Sequence, residues 1–278
     1  MGTTGGLDFS FDRRVVSDYD SLRGHPPEVA REIGQAIAAQ MPSSARVLEL
    51  GVGTGRIAVP VAQAGCQVVG MDVSAEMLGE LAARIRQHTL DDIELVQADI
   101  TAPPFIDRGF DGAMAVHVLH LVSSWAEVLD QVRRMVRPGG VLVLGRDWVD
   151  PESFSGRIRT AFRKTVVEVG TEMLPPGASA AAAPSGGAAI VKTLVQQGAV
   201  PTGEGELVAA EWTTELSPRQ VLDGIRSRDD AESWVLPDDV LTETMQRLDA
   251  LAQQEWPDLD QPLPVLRRFM LGCFRYEV

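Results

Sequence analysis

Between Ser43 and Asp147 the chain alternates short β-rich runs with amphipathic helical stretches, and this alternation constrains the fold more than any other feature. It specifies a parallel sheet covered by helices on both faces. "RVLEL" reads as the first strand. The helix "TGRIAVPVAQAG" follows, and Pro60 inside it removes a backbone hydrogen bond, so a short or bent helix is expected. "QVVGMDV" is a second strand, after which Ser74 N-caps "AEMLGELAARIRQH" with apolar positions at Met77, Leu78, Leu81 and Ile85. A third strand, "IELVQAD", ends at Asp99. "FDGAMAVHVLHLV" carries the fourth, Ser123 or Ser124 caps "WAEVLDQVRRMV", and "RPGG" turns the chain into a fifth strand, "VLVLGRDW".

The stretch "VLELGVGTGRIAVPV" joins the first strand to its helix through glycines at 51, 53 and 55. Such a turn presents unpaired backbone N–H groups with little side-chain bulk around them, which suits a polar ligand. Glycine-rich turns also arise for purely steric reasons. The dinucleotide fingerprint G-x-G-x-x-G needs a glycine at position 56, where this chain has Arg56.

With 278 residues, 45% hydrophobic and 23% charged, the composition is that of an ordinary globular protein. A formal net charge of −14 argues against partners bound by neutralising phosphates, so neither nucleic acid nor an anionic membrane is expected. Cys66 and Cys273 stand far apart with no metal-ligand spacing, so no metal site is expected, and both read as core thiols of a reducing compartment. The N-terminal segment lacks an apolar core of signal-peptide length, and nowhere do eighteen apolar residues run together. The expected location is cytoplasmic.

Beyond Asp147 the alternation breaks. Glu152 to Met173 reads as a helix, "LPPGASAAAAPSGG" as a linker, "AAIVKTLVQQG" as a short helix and "GELVAAEWTTEL" as a strand. Ser217 and Pro218 open one helix, another follows Pro237, and "PVLRRFMLGCFRYEV" is a last strand. Trp212 and Trp234 receive no chemical role.

Glu49, Asp72 and Asp99 fall at the ends of the first three strands, where open parallel sheets bind ligands, so the three acids are expected to face one crevice. Asp72 is placed to accept hydrogen bonds from two ribose hydroxyls, and Asp99 to take the exocyclic amine of an adenine. Each acid singly is also a natural helix cap or solvated strand end.

The successive stretches "VLELGVGTGRIAVPV", "VVGMDVSAEML", "VQADI", "FDGAMAVHVLHLV" and "VRPGGVLVL" resemble, in order and spacing, the motifs of class I S-adenosylmethionine-dependent methyltransferases. The resemblance is strongest over Arg46 to Leu144. "SDYDSLRGHPPEVAREI" is similar to the leading helices of the small-molecule branch. It implies an α/β, Rossmann-like, seven-stranded, mostly parallel sheet with helices on both faces. One domain over 1–278 is expected: an N-terminal helical cap (1–42), a cofactor-binding core (43–148) and a C-terminal part (149–278) with helical acceptor-side insertions and the last strands.

The same resemblance implies that Glu49, Gly51, Gly53 and Gly55 shape the site for the methionine end of S-adenosylmethionine, released as S-adenosylhomocysteine. Asp72 would hold the ribose, Val73 and Met77 would flank the adenine, and Asp99 and Ile100 would bind its edge. His117 would lie near the methionine end, and "RPGG" is a turn, not a contact. Tyr19, Arg23 and His25 belong to a segment that folds over the cofactor in that branch. Asp147 and Trp148 lead to the same rim, and Arg56 reads as structural.

Methyl transfer to an O, N, C or S atom of a small-molecule acceptor is an in-line displacement, for which positioning is the main requirement. His117 and His120 are the candidates for a general base if the acceptor must lose a proton, and His120 also falls on the acceptor side. A non-catalytic cofactor-binding regulator is the alternative. An NAD(P)-dependent oxidoreductase is disfavoured by Arg56, Asp99 and "RPGG". The chain is expected to act as a monomer or homodimer.

Overall fold

The computed structural model describes residues 24–173, 187–229, 231–234 and 236–277. Tyr19, Arg23 and all but the last residue of the expected linker lie outside them. The described elements begin with α1 (Pro27–Ala38), β1 (Arg46–Leu50), α2 (Ala58–Gln63), β2 (Gln67–Asp72), α3 (Ala75–His88) and β3 (Ile93–Gln97). β4 (Phe110–Val116), a 3-10 turn (Leu119–Leu121), α4 (Trp125–Met135), β5 (Val136–Val149) and α5 (Phe154–Met173) follow. The chain ends with α6 (Gly187–Gln196), β6 (Ala199–Pro201), β7 (Leu207–Leu216), α7 (Pro218–Arg226), α8 (Ala231–Trp234), α9 (Asp238–Glu255) and β8 (Leu263–Tyr276).

These residues divide into two compact units. The first runs up to Arg146 and takes in the described residues to Ala210 from Gly187, and those from Phe269 onward; the second begins at Asp147 and resumes at Glu211, ending at Arg268.

The sheet order is β3-β2-β1-β4-β5-β8-β6, with β7 paired to β8. β1 runs parallel to both β2 and β4, β3 parallel to β2, β5 parallel to β4, and β6 antiparallel to β8. Among the described residues eight strands form where seven were expected. The additional one, β6, is three residues long, opens after Gly198 at φ 83° and ends in Pro201, too short and too interrupted to show an alternating pattern. "RPGG" is also corrected: it lies inside β5, where the pairing jumps from Phe110↔Val136 to Gly112↔Val141 and Gly139 (φ 81°) takes up the excess chain.

In the first unit Leu48, Met71, Leu129, Met135 and Leu142 are wholly buried between the sheet and its helices. α2 is a short six-residue helix with Pro60 at its third position, as its sequence requires. Ser74 caps α3, its hydroxyl accepting the Met77 N–H at 3.2 Å. Ser124 occupies the cap position of α4, but its side chain makes no cap hydrogen bond.

The second unit has its own core, in which α5 supplies Ile158, Phe162 and Val169, α7 supplies Leu222 and α9 supplies Val240 and Leu248. A capping box starts α7. Ser217 Oγ accepts the Gln220 N–H at 3.2 Å, and Gln220 Oε1 accepts the Ser217 N–H at 2.8 Å. Ser217→Ala should therefore lower stability by about 1 kcal/mol, read by urea unfolding, whereas Ser217→Asp should keep most of it. An unchanged Ser217→Ala midpoint would show that the box contributes nothing.

Candidate functional site

The sheet order reverses at β1, whose neighbours β2 and β4 lead away in opposite directions. Ligands of open parallel sheets bind at such a switch point, outside the carboxyl ends of the strands. Leu50 pairs with Met71 on one side and Ala115 on the other, so the chain leaves β1, β2 and β4 at one level. The glycine loop, Asp72 and the segment from His117 to His120 start there.

The three loop glycines have different duties. All sit at positive φ, at 66° for Gly51, 54° for Gly53 and 83° for Gly55. A Cβ on Gly51 would come within 2.5 Å of Val118 Cγ2, and one on Gly55 within 2.4 Å of a Leu81 methyl, so these two are demanded by packing as well. A Cβ on Gly53 would meet none of the described residues within 4 Å, so among them the middle of the loop faces open space.

Two acids stand beneath this loop. Asp72 Oδ2 accepts the Gly53 N–H and Oδ1 the Ser74 N–H, each at 2.9 Å, so Asp72 clasps the loop to the end of β2. A carboxylate offers about four acceptor positions, so these bonds leave it capacity for hydroxyls. Burial pushes its pKa up, against the opposing pull of the Ser74, Gly53 and Val73 N–H groups. Glu49 in β1 is only 2% exposed. Burial holds its pKa well above the ordinary 4.5, the nearby Arg56 charge works the other way, Asp72 adds to the rise, and the Ala58 N–H donates a hydrogen bond that lowers it. Glu49 Oε2 is buried and has no hydrogen-bond partner among the described residues. An oxygen in that state is costly unless something bound supplies a donor.

Arg56 connects this acid to the segment that precedes α1. Its Nη1 donates to His25 Nε2 at 3.1 Å, and the His25 ring meets Phe269 edge-on with centroids 5.4 Å apart. A guanidinium only donates, so Nε2 of His25 is the acceptor. Arg56, read from sequence as structural, therefore couples the expected cap residue His25 to the loop; a cation inside a glycine turn was the available signal.

The remaining expected residues are distributed as follows. Val73 is 41% exposed beside Asp72, whereas Met77 is 2% exposed, buried behind the start of α3. Asp99 lies two residues beyond the end of β3, with Oδ1 accepting both the N–H and the hydroxyl of Thr101 at 2.8 Å, and Ile100 next to it is buried. His117 takes a left-handed backbone (φ 52°) where the chain leaves β4; it is half-buried, and His120 in the 3-10 turn is exposed. Both histidines line a cavity of about 1050 Å³ within the first unit. Asp147 and Trp148 belong to the second unit, where the Arg268 guanidinium lies 4.9 Å from the Trp148 ring centroid and pairs with Glu211 at 2.6 Å. Among the described residues no cluster of His, Cys, Asp and Glu could hold a metal ion, and no helix is long and apolar enough to cross a membrane.

Residues 48–144 match the family described as "Methyltransferase domain". A malonyl-[acyl-carrier protein] O-methyltransferase of Enterobacter lignolyticus is 38% identical over 117 residues, 41% of this chain and 45% of that protein. A demethylmenaquinone methyltransferase of Renibacterium salmoninarum is 35% identical over 99 residues, 36% of this chain and 40% of that one. The chain thus spans less than half the length of these curated relatives. A solved structure from Bacillus halodurans shares the fold, with a TM-score of 0.58, 16% identity, and coverage of 88% of this chain and 99% of the other.

The buried acids set two expectations. Because folding raises the Glu49 pKa above 4.5, the folded chain holds that proton more tightly than the unfolded one. The stability so gained is complete below the unfolded value and is lost as pH rises through the folded one. The neutral variant Glu49→Gln should therefore melt near the parent at pH 5 and above it at pH 8, in thermal melts without added ligand. Equal melting at pH 8 would show that burial does not penalise the carboxylate. Asp72→Ala removes a charged acceptor from two backbone N–H groups and should cost about 1.5–3 kcal/mol in urea unfolding; no loss would mean the clasp is replaced by water at no cost.

Proposed function

We propose that this protein is a class I S-adenosylmethionine-dependent methyltransferase that transfers a methyl group from S-adenosylmethionine to a small-molecule acceptor, a reading supported by the match of residues 48–144 to the methyltransferase-domain family. The observation that carries the reading is the buried Glu49 Oε2, left without a partner among the described residues, below a glycine loop whose middle meets none of those residues. An ammonium supplies the donor that this oxygen lacks, and the backbone N–H groups of the loop suit a carboxylate. A methionine moiety carries both. A diphosphate, by contrast, would bring negative charge toward Glu49.

When bound, the cofactor supplies an electrophilic methyl carbon on a sulfonium and leaves as S-adenosylhomocysteine. The chain's own residues then have the following parts. Glu49 and the loop orient the amino-acid end, Asp72 takes ribose hydroxyls with its remaining acceptor capacity, and Val73 offers an apolar surface to the adenine with Met77 supporting it from behind. Asp99 and Ile100 bind the adenine edge. His25 and Arg56 hold the loop from the side of α1. His117 closes the methionine end, and His120 stands on the acceptor side, each able to accept a proton if the acceptor carries one. Positioning alone accounts for about 7–11 kcal/mol of such a displacement, and we assign the histidines to positioning.

The acceptor class is supported by charge and by the relatives. A net charge of −14 suits neither nucleic acid nor anionic lipid, and the two named relatives act on malonyl-[acyl-carrier protein] and demethylmenaquinone.

Calorimetry should show binding of S-adenosylmethionine and S-adenosylhomocysteine and none of NAD or NADP, with ligand at 100 times its dissociation constant stabilising by about 2.7 kcal/mol. Tight NAD binding without S-adenosylmethionine binding would sink the proposal. A metabolite panel read as release of S-adenosylhomocysteine separates an enzyme from a non-catalytic regulator, which binds but releases nothing. In the active reaction, His117→Gln and His120→Gln should keep most of kcat. A loss of 10²–10⁴-fold with cofactor affinity intact would instead make that histidine a general base.

A further inference from the structure

The cavity of about 1050 Å³ carries information about the acceptor that neither the family nor the sequence supplies. It lies wholly within the first unit. Val118 and Leu119 of the turn after β4, Leu144 of β5, Ile190 and Val191 of α6 and Phe274 of β8 give it a mostly apolar wall. Its size stands at the upper end of the roughly 300–1000 Å³ found for drug-sized ligands. Val118, one of these wall residues, is the side chain packed on Gly51, so the cavity and the glycine loop share a partition one residue thick. His117, at the end of β4, lines it as well.

The charged groups of the lining are few. Arg146 Nε and Nη2 bind Glu206 Oε1 and Oε2 at 2.8 and 2.5 Å, a bidentate pair that ties the β6–β7 loop to β5 and cancels its own charge. Glu204 adds a carboxylate, and among the described residues no lysine or second arginine lines the cavity. An anionic ligand would find the one guanidinium already committed.

We propose that this cavity is the acceptor site, and that the acceptor is a drug-sized, predominantly apolar molecule, neutral or cationic, with its nucleophilic atom at the His117 end. The proposal rests on the methyltransferase reading for the word acceptor. Its chemistry rests on the lining alone.

The test uses the full chain and 1-aminoanthracene, a neutral apolar fluorophore. Val191, 40% exposed on α6, is replaced by tryptophan to fill the cavity without removing a core side chain. The parent should bind the probe at one site, and Val191→Trp should weaken it at least tenfold while S-adenosylhomocysteine affinity stays within twofold. In displacement, 2-naphthylmethylamine should act at a concentration at least threefold lower than its anionic counterpart 2-naphthoate. Equal probe binding by parent and Val191→Trp, or stronger displacement by the carboxylate, overturns the proposal. A parent that binds the probe as described but not S-adenosylhomocysteine overturns the methyltransferase reading instead.

Discussion

The parallel register of β1 with its two neighbours is the constraint on which the rest of the site depends. Because Leu50 stands level with Met71 and with Ala115, the first residues beyond three strands emerge together at one edge. A shift of a single residue would turn every side chain of β1 to the opposite face. Glu49 would then leave the position in which it meets Arg56 and Asp72, and Val47, Leu48 and Leu50 would exchange the packing partners that bury them on the two faces of the sheet. Core packing and the placement of the acid are therefore one requirement.

Glu49 is where this edge departs from what stability alone would select. A leucine-sized apolar side chain there would carry no desolvation penalty and leave no oxygen without a donor. The Arg56 charge and the Ala58 N–H offset the penalty only in part, since burial remains the largest influence on the carboxyl group. A local conflict of this kind, inside an otherwise consistent strand, is the expected mark of a functional position. It also explains why Gly53 is informative: the loop is packed tightly at Gly51 and Gly55, whereas a Cβ at Gly53 would meet none of the described residues within 4 Å.

The legible parts of this molecule are those imposed by backbone chemistry over short range. Ser74 and Ser217 announce helix starts because their hydroxyls satisfy N–H groups three residues on, and the glycines announce a turn because positive φ excludes most side chains. The order of acids at strand ends follows from the same local reading. What escaped the sequence is set by distance or by brevity. β6 has three residues, and the β5 irregularity at "RPGG" shows only in its pairing with β4. His25 and Arg56 meet across 31 residues of chain. The cavity gathers residues from near 117, 145, 190, 204 and 273, so no window of sequence contains it.

The partition formed by Val118 makes the glycine loop and the cavity mutually dependent. Gly51 lacks a side chain for two reasons, its φ of 66° and the presence of Val118 Cγ2 where a Cβ would go. A larger residue at 51 could be accommodated only by moving Val118, and Val118 is a wall of the cavity. Interiors are packed closely enough that such a displacement is passed on rather than absorbed. The loop glycine is thus required as much by the cavity behind it as by any ligand in front of it. A change of side chain at 118 reaches both sides at once: a smaller residue deepens the cavity toward the loop, and a larger one presses on Gly51 and through it on the N–H that Asp72 holds at Gly53.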